Sequence, residues 1–113
     1  MTGPAVFDFT APSSPDRHRK AAEVFGREYP DGVDTSRVSD ADIGALLHDR
    51  IARFLVSVDV PRGLKAIGYK TGDIGDLVTG TIPQRRVLDL APGFSTSEGQ
   101  EYLERILERA MAF

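Results

Sequence analysis

Two histidines, His18 and His48, are the chain's entire stock of imidazole, and they stand thirty residues apart. A metal centre needs several imidazoles, thiolates or carboxylates at ligand spacing. His18 follows Asp16 near a helix start, and His48 precedes Asp49 on a helix, where side chains at i and i+1 point to different faces. Both therefore read as structural or surface histidines. The serines sit at cap and turn positions, which explains them without a nucleophile. The stretch GYKTG at 68–72 has a Lys-Thr pair between glycines, but a phosphate loop requires Gly directly before the Lys, a preceding strand and a long following helix. Tyr69 occupies that Gly position, so the glycines read as helix stops. The basic clusters Arg17-His18-Arg19-Lys20 and Arg85-Arg86 read as solvated helix faces. No catalytic, cofactor-binding or metal-ligating residue is assigned.

The composition narrows the classes further. The 113 residues fit one helical domain, 1–113, and 41% hydrophobic content can build a modest core. Fourteen Lys and Arg against seventeen Asp and Glu leave a net charge of -3. Nucleic acid is not an expected partner, because displacing phosphate counterions takes a basic excess. The absence of cysteine excludes disulfides, thiolate metal sites and cysteine nucleophiles, and the absence of asparagine excludes N-glycosylation. No apolar run approaches a membrane span, and Met1 is not followed by a basic-then-apolar signal. The expectation is a cytoplasmic protein with no membrane partner.

The elements that position these side chains are helical. Residues 4–10, with Phe7 and Phe9 flanking Asp8, are too few to separate a short strand from a helix turn. Ser14 and Pro15 predict a helix start by cap and first-position preference. His18, Ala21, Ala22 and Phe25 then form a stripe, with Gly26 as its stop and a loop over 27–37. Ser39 predicts the cap of the clearest helix, whose apolar face is Ile43, Leu46, Leu47, Ile51, Phe54, Leu55 and Val58. Asp59-Val60-Pro61 ends it. A short apolar piece over 64–67 stops at Gly68, and Thr71 is expected to cap a helix carrying Ile74, Leu77 and Val78. After the break at Pro83 and a turn through Val87, Leu88 and Leu90, Ser95 and Glu98 form a capping box. The last helix carries Tyr102, Leu103, Ile106, Leu107, Ala110 and Met111. The fold class is all-α, an irregular bundle of about four to five helices.

Several stretches together resemble one family. PAVFDFT at 4–10 followed by Asp16-Arg17-His18 is similar to a segment of the iron-containing alcohol dehydrogenases, in their hydroxyacid–oxoacid transhydrogenase-like branch. GLKAIGY at 63–69, DLVTGTIPQRRV at 76–87 with Leu90-Ala91-Pro92, and the final amphipathic helix follow in the family's order. The resemblance covers the C-terminal portion of that family only. It implies iron or another divalent metal and NAD(P) for the full-length enzyme, acting on an alcohol or 2-hydroxyacid. It also implies that the Gly-rich nucleotide stretch and the Asp and His ligands lie upstream of this segment. His18 and His48 match no ligand position, so no cofactor is expected in this chain. The implied partner is the N-terminal nucleotide-binding and metal-ligand portion, in cis or in trans; a homo-oligomer is a further expectation. The loop over 27–36 looks longer than the family's, and Gly75 replaces a frequent proline. The competing expectation is a stand-alone helical interaction or scaffold module, or a split-gene subunit, without activity.

Overall fold

A computed structural model describes residues 1–94 and 97–113. Six α-helices occur among the described residues: α1 (Gly3–Thr10), α2 (Pro15–Glu28), α3 (Ile43–Ser57), α4 (Ile74–Thr81), α5 (Arg85–Leu88) and α6 (Gly99–Ala110). Short 3-10 turns at Ala11–Ser13, Thr35–Arg37, Leu64–Ile67 and Thr71–Asp73 join them. The described residues contain no strand, so the all-α expectation holds, with one or two helices more than anticipated.

Residues 4–10 are helical, and packing explains why so short a segment holds. An isolated helix of this length is marginal in water, but α1 lies against both α3 and α6. Ala5 enters one apolar cluster with Leu64, Ile74, Val78, Leu88, Phe94, Leu103 and Ile106. Ala11, one residue past α1, enters a second with Ala22, Ile43, Leu47 and Ile51. Thus α1 and the turn after it join the two clusters. The α1–α3 approach needs Gly44, since a Cβ there would come within 2.8 Å of Asp8 Oδ1 and 2.9 Å of the Ala11 Cβ.

Several boundaries differ from the sequence-based expectation. Pro15 does open α2, but Ser14 makes no side-chain cap. Its carbonyl instead accepts from the His18 backbone N–H at 3.2 Å. Gly26 does not stop α2, which runs on to Glu28. The Ser39 hydroxyl donates to Asp42 Oδ2 at 2.8 Å, and α3 begins only at Ile43. Its end is as expected, with Asp59 turning the chain in the left-handed region at φ 59°. Thr71 belongs to a 3-10 turn rather than capping α4, and it is Asp73 Oδ2 that accepts the Lys70 N–H, at 2.7 Å. Gly68 terminates its 3-10 turn at φ 101°, as a stop should. The Ser95 half of the expected capping box lies outside the described residues.

Candidate functional site

The most elaborated polar centre surrounds Arg50, a residue that the sequence reading did not single out. It projects from α3 into the α2–α3 side of the bundle and is 2% exposed. Nε donates to Asp31 Oδ2 and Nη2 to Asp31 Oδ1, both at 2.9 Å. Nη2 also donates to the Val33 carbonyl at 3.0 Å. Nη1 donates to the Ala22 carbonyl and to Thr35 Oγ1, both at 2.6 Å. A guanidinium has five N–H donors, and all are engaged. Arg19 closes the same loop from outside, donating to the Thr35 carbonyl at 2.6 Å and to Asp40 at 2.7 Å.

The electrostatics follow from this geometry. The charged hydrogen bonds from Arg50 hold the Asp31 carboxyl down at about 2, helped by the Val33 N–H and opposed by burial. A buried charge tolerates its surroundings only when paired and hydrogen-bonded in this way. With every donor committed to the protein, the guanidinium has none left for a phosphate or carboxylate ligand. The loop after α2 is thus wrapped around a structural cation. A signal was present in the sequence: position 50 is i+7 from Ile43 and i+3 from Leu47, so a charge stands in the apolar stripe.

The histidines are placed separately. His18 Nδ1 is 2.7 Å from the Ser14 carbonyl, which can only accept, so Nδ1 carries the proton. Nε2 lies 2.8 Å from Thr10 Oγ1, and the ring meets Phe7 edge-on at 6.2 Å. His18 therefore ties the end of α1 to the start of α2. His48 is 5% exposed, and its Nδ1 does reach Asp49 Oδ1, at 3.1 Å, despite their adjacency in sequence. Its Nε2 is buried without a protein partner. Among the described residues, no group of three or more His, Asp or Glu side chains is placed to share a metal ion.

The other sequence candidates serve local structure. Arg85 pairs with Asp89 one turn away, and Arg19 holds the loop already described. The hollow beside Gly68 and Tyr69 is lined by Asp73 and Asp76, the wrong charge for a phosphate. A different character marks the cleft between α1, α5 and α6, about 300 Å³, which no charged side chain lines among the described residues. Val6, Phe9, Leu88, Phe94, Leu103 and Ile106 form its walls. Phe9 anchors them, with ring centroids 5.4 Å from Phe94 and 5.2 Å from Tyr102. The Tyr102 hydroxyl donates to Glu98 Oε2 at 2.5 Å, and that carboxylate raises the phenol above its ordinary 10.0.

No family model matches the chain, and no solved structure matches it. Over 96 residues, 85% of this chain, it is 45% identical to the probable mitochondrial hydroxyacid-oxoacid transhydrogenase of Dictyostelium discoideum, covering 16% of that protein. It is 42% identical over 111 residues, 98% of this chain, to the mitochondrial hydroxyacid-oxoacid transhydrogenase of Homo sapiens, covering 22% of it. The Bos taurus protein of that name is 41% identical over the same length and share. The chain spans about a fifth of the length of the curated relatives it matches, and the match is to their C-terminal part. The resemblance read from the sequence is therefore borne out, and the chain is similar to the C-terminal segment of these oxidoreductases. The cytoplasmic expectation is corrected, because the relatives are named as mitochondrial proteins. The stretch after Met1 aligns within their C-terminal part, so the lack of a leader there carries no information about compartment.

Proposed function

We propose that this chain is the C-terminal helical segment of a hydroxyacid-oxoacid transhydrogenase-like oxidoreductase and is inactive without the rest of that enzyme. The observation that carries the reading is the identity of 40–45% over up to 98% of the chain, confined to the C-terminal part of the relatives. The side chains present fit a scaffold. Both His18 nitrogens and all Arg50 donors face protein groups, and His48 shares its hollow with one carboxylate, Asp49, beside Arg53 and Arg62. This donor set does not fit a divalent metal, and no step of the chemistry is placed on these residues.

In the intact enzyme, a metal would polarise the hydroxyl oxygen of an alcohol or 2-hydroxyacid, and a nicotinamide would carry hydride. The nucleotide-binding and metal-ligand portion would hold both. The helices described here would supply its support and one wall of the substrate cleft.

The test is a fusion in which this chain replaces the matched C-terminal part of the human relative. The fusion is expected to transfer reducing equivalents between a 2-hydroxyacid and an oxoacid, while the 113-residue chain alone does neither that nor NAD-dependent oxidation. Activity of the chain alone, or a folded but inactive fusion, overturns the proposal.

A further inference from the structure

Leu90 is 87% exposed, the most open large apolar side chain described, and Val87 one helical turn before it is 59% exposed. Their backbone leaves them little choice. The Leu90 N–H donates to the Val87 carbonyl at 3.3 Å and the Ala91 N–H to the Leu88 carbonyl at 3.1 Å, so Leu88 turns inward and Leu90 outward. Val87 also stands at the mouth of the apolar cleft between α1, α5 and α6, whose rim is completed by Thr2, Thr10 and Thr81. An apolar cleft beside exposed apolar residues, with no charge in its lining, gains free energy only when an apolar surface covers it.

We infer that the α1–α5 face is the docking surface for the portion of the oxidoreductase that precedes this segment, and that an apolar side chain of that portion fills the cleft. The inference rests on the proposed function. The occupant is argued from continuity and chemistry. The matched part is about a fifth of each relative and lies at its C-terminus, so the rest of the relative enters this segment on the α1 side. That same helix supplies Val6 and Phe9 to the cleft. The other large hollow on α1 sets Asp8, Arg105, Glu108 and Arg109 among Ala5, Phe9, Pro12 and Ile106, so an apolar occupant would have to desolvate four charges there.

Hydrogen–deuterium exchange on the isolated chain and on the human fusion tests this surface. Peptides covering residues 1–10 and 85–91 are expected to exchange about tenfold more slowly in the fusion, with those covering α2 unchanged. Leu90→Asp should restore fast exchange at 85–91 in the fusion while leaving the thermal unfolding of the isolated chain as it was. Unchanged exchange in an active fusion overturns the docking surface and leaves the proposed function standing. A fusion that folds but is inactive overturns that function, and this inference with it. Slowing of the same peptides in the isolated chain as its concentration rises assigns the face to a second copy and also overturns the proposal.

Discussion

A Cβ built on Gly26 would lie 2.6 Å from Nη1 of Arg50 and 2.8 Å from its Cζ. The glycine read as a helix stop thus lies within the last turn of α2, two residues short of its end, where it makes room for a buried guanidinium. Glycine inside a helix forfeits about 1 kcal/mol relative to alanine. The gap left by its missing side chain is what lets Nη1 reach the Ala22 carbonyl, one helical turn back.

Gly26→Ala reverses the usual propensity result. A free arginine tip could swing aside, but this one is held by five hydrogen bonds, and moving it breaks several at once. A net destabilisation of about 1–3 kcal/mol is expected in urea unfolding, despite the gain in helix propensity. Increased stability would show that the loop relaxes freely around the cation.

Arg50 and Asp31 should be strongly non-additive. Arg50→Met removes the guanidinium donors of the Asp31 carboxylate, which keeps only the Val33 N–H, and those of the Thr35 hydroxyl and two carbonyls, and Asp31→Asn leaves a buried cation without its counter-charge. About 3–5 kcal/mol is expected for the arginine change, with the double variant less damaged than the sum of the singles by about 1–3 kcal/mol. Urea midpoints of all four proteins measure that coupling.

Acid should weaken the same centre. Asp31 titrates at about 2 when folded against an ordinary 3.8, so the folded state favours the carboxylate. Its contribution is fully present above pH 4 and falls away as pH drops through 4 towards 2, amounting to about 2 kcal/mol. Unfolding free energies compared at pH 5 and pH 2.5 should show this loss in the wild type. Asp31→Asn should lack that component.

Gly63 is the second glycine under a hard constraint. Its φ is 91°, and a Cβ there would sit 2.5 Å from the Met111 carbonyl oxygen, which also accepts the Lys65 N–H at 3.1 Å. Backbone cannot swing aside as a side-chain tip can. Gly63→Ala should therefore cost more than about 2 kcal/mol and loosen the chain end, read as faster amide exchange over residues 107–113.

The sequence by itself determined the all-α class, the apolar face of α6, the chain breaks at Gly68 and Pro83, and the resemblance to one oxidoreductase branch. It also determined the apolar face of α3 apart from Val58, which lies past the helix end and is 52% exposed. These signals are local, or they are strings of residues in order. Ile43, Leu47 and Ile51 lie on one side of α3 whatever packs against it, because the helical repeat alone puts them there. Tertiary structure decided the rest. Residues 4–10 became helix because α3 and α6 pack against them and Pro4 and Ala5 are buried there, information absent from seven residues. Gly26, the loop after α2 and Arg50 acquired their meaning jointly, since the guanidinium's partners at 22, 31, 33 and 35 lie 15 to 28 residues away in sequence. A charge placed in an apolar stripe can be noticed in the sequence, but its partners are chosen by the fold that brings them within reach.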